Sequence, residues 1–414
     1  MSRPSSSTRV SLLIACLFSL VAGLGLGLFV APRAADMAGF HVALEPEEGR
    51  PTESVVRFGG DTPPRLPNLG DTRPKNLILL IGDGMGFSQL TAGRMATVGA
   101  DGRLVIERMP VTGWSLTHSV DQIYTDSASG ASALSTGVKT SPQRIATDAA
   151  GVPQRSLFEK AHAAGMSVGT VTDSMILDAT PAAFVAHSPK RRDYAVLVDS
   201  TLELRPELFV GGLPHPLGES ETWDSRWALF DAAGYVRLGP NLELDPADPR
   251  PVLGLLPADA MADGSGPSLD RVAAFALERL GTDEDGFMLL LETEETDTGS
   301  HNGQFEQMVR GVAALDRAAE VALRFAEARG DTLVLVTADH ETGGLALLEG
   351  LDGEPVKVRW ATDSHSAEPV PVLAYGPGST AFSGVLDNAE IGRLLSDLFF
   401  APTDEAQAAD APKG

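Results

Sequence analysis

Five acidic residues, Asp83, Asp178, Glu292, Asp297 and Asp339, stand at or just beyond the ends of apolar runs. Three histidines, His301, His340 and His365, stand beside them or near the same ends. Carboxylates gathered in a partly dry cleft repel one another and take up protons unless a cation neutralises them. His301 follows Asp297 by four positions and His340 follows Asp339 directly, a mixture of nitrogen and oxygen donors suited to a zinc-like ion. Residues 125–133, TDSASGASA, start a helix of small side chains with Ser127 at or near its N-terminus, where free N–H groups and the helix dipole favour an anion. A serine hydroxyl needs activation, and a metal ion could hold its alkoxide directly. Simple N-capping by Asp126 or Ser127 is the plainer alternative. Arg191, in HSPKRR, carries a guanidinium able to grip two phosphate oxygens, and a surface arginine at a helix start is its other reading.

These residues need a scaffold that brings them together. Residues 76–81, NLILLI, predict a buried strand that stops at a tight turn, GDGMG, which needs the conformational freedom of glycine. Further strands are predicted over residues 166–172, 286–291, 332–337 and 370–375, and helices over 156–164 and 305–329. Apolar runs alternating with amphipathic stretches read as an α/β sheet with crossover helices. In such sheets ligands bind at the carboxyl edge of the strands, where Asp83, Glu292 and Asp339 fall, with Asp178 a few residues beyond another strand.

Composition narrows the class. The chain has 414 residues, with 32 basic against 56 acidic side chains, a formal charge of −24. A surface of that sign repels a phosphate backbone, so no nucleic-acid binding is expected. Cys16 is the sole cysteine and lies in the N-terminal apolar run, which leaves the remainder without disulfides or cysteine-ligated metal. Arg3 and Arg9 precede apolar residues 10–30, followed by small residues, the pattern of an export signal or of an uncleaved membrane anchor. The expected organisation is a signal peptide or anchor over residues 1–35, a linker over 36–74, one catalytic domain over 75–401 and a polar tail over 402–414. The location expected is outside the cytoplasm: periplasmic, extracellular or anchored to the cell envelope.

The motifs together resemble the alkaline phosphatase family. They are residues 76–86, NLILLIGDGMG; Thr125-Asp126-Ser127-Ala128 with STGVK at 135–139; DATPAA at 178–183 with His187; Glu292 with Asp297 and His301; Thr337-Ala338-Asp339-His340; and His365 ahead of Tyr375-Gly376-Pro377. FVGG at 209–212 and LGLL at 253–256 are fainter echoes. The resemblance implies a three-layer sandwich with a large, mostly parallel central sheet and helices on both faces. It implies hydrolysis of phosphate monoesters through a phosphoserine on Ser127, with inorganic phosphate as product. It also implies two zinc ions, one held by Asp297, His301 and His365 and the other by Asp83, Asp339 and His340. A magnesium ion would be held by Asp83, Asp178, Thr180 and Glu292, and Arg191, positioned by Asp126, would bind the phosphate. A phosphodiesterase is the nearest alternative. A sulfatase would need a C/S-x-P-x-R context that the chain lacks. A protein that only binds metal or phosphate would have no use for both Ser127 and Arg191. Thr298 departs from the Lys, His or Trp that the family often carries beside this aspartate, which bears on rate and pH profile. The short span from His340 to His365 leaves a homodimer open, and the N-terminus leaves membrane anchoring open.

Overall fold

In the computed structural model the described residues are 47–49, 72–213, 223–257, 260–350 and 356–400. The N-terminal apolar run, most of the expected linker and the polar tail lie outside them. Among the described residues no helix is long and apolar enough to cross a membrane.

The strands, in chain order, are β1 (Glu47–Gly49), β2 (Asn76–Gly82), β3 (Val111–Leu116), β4 (Ser167–Met175), β5 (Leu208–Gly212), β6 (Val236–Leu238), β7 (Val252–Leu256), β8 (Phe287–Thr293), β9 (Thr332–Thr337), β10 (Glu341–Thr342), β11 (Ala346–Glu349), β12 (Val356–Arg359), β13 (His365–Ser366), β14 (Val370–Tyr375) and β15 (Gly384–Asp387). Ten of them form one sheet in the order β15-β3-β14-β9-β2-β8-β4-β5-β7-β6. Every pairing in it is parallel except those of β14, which runs against both β9 and β3. The segment expected to be a linker contributes β1, which pairs with β12 in a small separate sheet with β11.

Because side chains alternate across a strand, the continuous apolar runs serve two cores. Ile78 and Leu80 of β2 join Leu289 and Leu291 of β8 in a core with Val312, Leu315 and Ala319 of helix Phe305–Arg329. Leu77, Leu79 and Ile81 face the other way, onto Ala128, Ala131 and Leu134 of helix Ser127–Thr136 and Ile391 of helix Asn388–Phe400. The result is the helix–sheet–helix sandwich expected from the motifs. The expected strands are all present. The second runs from Ser167 to Met175, and the third extends to Thr293, so Glu292 lies within β8. Helix Leu157–Ala163 begins with a reciprocal cap between Ser156 and Glu159, and the long helix ends at Gly330, whose φ is 73°.

Helix Ser127–Thr136 is buried along its whole length, which small side chains permit. Its glycine sets the approach to β9: a Cβ on Gly130 would lie 2.8 Å from the carbonyl oxygen of Asp339. Replacing a helical glycine by alanine ordinarily stabilises by about 1 kcal/mol. Here the added methyl meets backbone, so Gly130→Ala is expected to destabilise by about 1–3 kcal/mol instead. It also pushes the Ser127 helix away from His340, so kcat/KM should fall by about tenfold or more. Thermal melts and steady-state kinetics on one preparation check both effects.

Candidate active site

The carboxyl edge of the parallel strands gathers the predicted residues. Asp83 follows β2 in a turn where Gly84 takes φ 67°, and Gly84 donates its N–H to Asp339 Oδ1 at 3.2 Å. A Cβ on Gly84 would meet Asp297 Oδ1 at 2.7 Å, so both backbone angle and space call for glycine here. Asp339 and His340 follow β9, and Glu292 lies one residue from the end of β8. Asp297 and His301 sit one turn apart on helix Glu295–His301, with Asp297 Oδ2 3.3 Å from His301 Nε2. His365 reaches the same edge because β14 runs antiparallel: the residues before it, not after it, lie at the site end.

The three histidines are oriented alike. His301 Nδ1 lies 2.6 Å from the carbonyl oxygen of Asp363, His365 Nδ1 lies 2.7 Å from that of Thr125, and His340 Nδ1 lies 3.2 Å from Thr342 Oγ1. Each therefore turns Nε2 into the site, and an Nδ1–H bonded to a carbonyl leaves Nε2 as a free donor atom for a metal. His301 and His365 bring their Nε2 atoms within 3.1 Å of each other. His340 Nε2 lies 3.3 Å from Ser127 Oγ, 3.3 Å from Asp339 Oδ2 and 3.5 Å from Asp83 Oδ1.

Electrostatics at this edge favour a cation. Burial, then the charges of Asp339 and Asp297, push Asp83 well above the usual carboxylate range. Burial and Asp297 push Asp339 up to about 7, and burial above all pushes Glu292 up to about 8. Burial also drives His340 and His365 below the usual histidine value. Asp297, although buried, is held low by its bond to His301, which is itself raised to about 9 by that bond. Asp83 Oδ1, Asp339 Oδ2, Glu292 Oε2 and Thr180 Oγ1 are buried with no hydrogen-bond partner. Such atoms are costly unless something electropositive meets them. Two groups of donors are close enough to share an ion, Asp83 with Asp339 and His340, and Asp297 with His340 and His365, the atoms of each lying within 4.8 Å of one another. The nitrogen and oxygen donor sets fit zinc, and the oxygens of Asp178, Thr180 and Glu292 fit a harder dication.

Ser127 is the first residue of its helix, and Asp126 caps it, accepting from Ser129 N at 3.0 Å and Ser129 Oγ at 2.7 Å. The other Asp126 oxygen accepts from Gln143 N at 2.9 Å and Gln143 Nε2 at 2.7 Å. Asp126 acts on Arg191 through its charge and through Gln143, not through a side-chain bond of its own. Arg191 Nη2 instead donates to Asp178 Oδ1 at 2.7 Å, and its backbone N–H donates to Gln143 O at 2.7 Å. Though buried, Arg191 is held firmly charged by Asp178. Gln143 escaped the sequence reading. It takes φ 68°, a strained value for a side-chain-bearing residue, and no local pattern announces its bonds to Asp126. Glu294 escaped as well, although it is one of three acids within residues 292–295.

Comparisons with known proteins point to one family. The family model for alkaline phosphatase matches residues 74–203 and 249–354. The chain is 30% identical over 406 residues to the streptomycin-6-phosphate phosphatase of Streptomyces griseus, covering 78% of this chain and 90% of that protein. It is 28% identical over 415 residues to the alkaline phosphatase of Escherichia coli, covering 81% of this chain and 88% of that one. Among solved structures, the alkaline phosphatase of the Antarctic bacterium TAB5 superimposes with a TM-score of 0.72 at 30% identity, over 80% of this chain and 100% of that one. A mutant of the TAB5 enzyme, with Mg bound in its M3 site, gives the same TM-score. On fold, motifs and relatives, the chain belongs to the alkaline phosphatase family of phosphate-monoester hydrolases.

Proposed function

We propose that the chain hydrolyses phosphate monoesters through a phosphoserine at Ser127, in a site that takes two zinc ions and one magnesium ion. The observation that carries this reading is the knot of buried carboxylate oxygens without hydrogen-bond donors on Asp83, Asp339 and Glu292 beside a hydroxyl at a helix N-terminus. Asp297, His301 and His365 would hold one zinc, Asp83, Asp339 and His340 the other, with Asp83, Asp178, Thr180 and Glu292 around magnesium. Once bound, these ions would supply Lewis acidity for the Ser127 hydroxyl and the leaving oxygen and would neutralise the pocket.

The chain's own residues account for the remainder. Ser127 Oγ attacks phosphorus, the bond from phosphorus to the ester oxygen breaks, and the alcohol leaves with a proton. Water then attacks the phosphoserine, the bond from Oγ to phosphorus breaks, and inorganic phosphate is released. Arg191, fixed by Asp178 and Gln143, presents its remaining N–H groups to the nonbridging oxygens. The N-terminal end of the dipole of helix Ser127–Thr136 favours the anion that Ser127 carries. Phosphoryl transfer asks mainly for positioning and charge neutralisation, which this arrangement supplies. Action outside the cytoplasm and membrane anchoring rest on residues 3–35, and self-association on the exposed apolar Phe87, Trp114 and Val385.

The test is turnover of p-nitrophenyl phosphate against bis-p-nitrophenyl phosphate, with and without chelator. Preference for the monoester by at least about a hundredfold, lost on chelation, is expected. Faster turnover of the diester would assign the site to a phosphodiesterase.

A further inference from the structure

Glu294 begins helix Glu295–His301 from its N-cap position but makes no side-chain bond to that helix. Its side chain turns back across the sheet edge and accepts from Ser174 Oγ. The Ser174 hydroxyl also lies 3.2 Å from Asp178 Oδ2, and Asp178 Oδ1 holds Arg191. The backbone is fixed for this purpose. The buried Asp173 accepts from Glu294 N at 2.7 Å through Oδ1 and from Thr293 Oγ1 at 2.6 Å through Oδ2, tying the end of β8 to β4. Glu294 is thus one hydroxyl away from Asp178, on the side of the pocket where Glu292 Oε2 and Thr180 Oγ1 are buried without partners, each residue being 1% exposed.

We infer that Glu294 is a further acidic wall of the pocket formed by Asp178, Thr180 and Glu292, and that its charge strengthens the hold of that pocket on a small hard dication. The inference rests on the proposed magnesium site and adds to it a residue held by Asp173 and Ser174. Oxygen donors and surrounding negative charge favour magnesium, and groups just outside the ligand sphere commonly govern affinity by about 10–100-fold. Because Ser174 and Asp178 connect Glu294 to Arg191, a cation seated here also steadies the phosphate grip.

The experiment is a calorimetric titration of zinc-loaded protein with magnesium chloride, in the parent, Glu294→Gln and Glu292→Gln. The amide preserves size and can still accept from Ser174. Magnesium binding to Glu294→Gln should weaken by about tenfold or more with zinc content unchanged. Parent-like affinity in Glu294→Gln, with binding weakened in Glu292→Gln, would overturn the inference and leave the magnesium site standing. No binding to the parent, or no effect of Glu292→Gln, would overturn the site itself. Melting supplies a second measurement. Freed of metal, Glu294→Gln should melt no lower than the parent, and magnesium should raise its melting temperature by less. A purely structural role would lower its melting in both states and so refute the inference.

Discussion

Ser127→Ala is expected to abolish the covalent phosphoenzyme and to lower kcat/KM by about a thousandfold or more, which is about 4 kcal/mol of transition-state stabilisation. The substitution is confined to chemistry. Asp126, not Ser127, caps the helix, and alanine is the strongest helix former. The Ser127 hydroxyl lies 3.3 Å from His340 Nε2, and His340 keeps Asp83 and Asp339 as neighbours without it. Metal content and melting temperature should therefore stay close to those of the parent. Rapid quenching with a radiolabelled monoester reads the covalent intermediate directly, and metal analysis reads the site. Label retained on the variant, or turnover near that of the parent, would remove Ser127 from the role of nucleophile. Loss of metal together with activity would instead make the hydroxyl a structural part of the metal pocket.

Much of this site was legible because its signals are local. Residues 76–86 declare both a buried strand and the glycine turn that ends it, and Phe305–Arg329 shows its apolar stripe over many turns. Asp297 and His301 lie on one helical face by spacing alone. Long-range placement was not legible. Nothing near His365 says that β14 runs antiparallel, yet that direction is what delivers His365 to the edge. The direct side-chain partner of Arg191 was hidden for the same reason. Asp126 and Asp178 are both acids whose charges act on Arg191, and only the folded chain shows that Asp178 takes its side-chain bond while Asp126 reaches it through Gln143. Glu294 looks in sequence like one more solvated acid, because its link to Ser174 spans 120 positions. The linker reading over 36–74 missed β1 because a three-residue strand, paired to a distant one, has no periodicity to detect.

Asp83→Asn should move activity and metal-free stability in opposite directions. Asp83 is the one carboxylate that the proposal assigns to two cations, so its loss should lower kcat/KM by about a thousandfold or more and remove most of the stabilisation that added metal gives. Without metal the same carboxylate is a burden. It is buried, faces the charges of Asp339 and Asp297, and its Oδ1 has no hydrogen-bond donor. A folded-state pKa raised above the unfolded value means that its stabilising contribution is complete below the unfolded pKa and is lost as pH rises through the folded one. The metal-free parent should therefore weaken as pH rises through the raised range of Asp83 and, for Asp339, through about 7. An asparagine removes one charge and brings an N–H that can reach Asp339 Oδ2 or His340 Nε2. Metal-free Asp83→Asn should then be more stable than metal-free parent by about 1–3 kcal/mol at alkaline pH, with the gap shrinking as pH falls. Thermal melts of chelated and metal-loaded protein at acidic and alkaline pH measure both halves. A chelated variant that melts below the chelated parent at alkaline pH would show that Asp83 stabilises the fold by itself, and the carboxylate knot would no longer require cations to explain it.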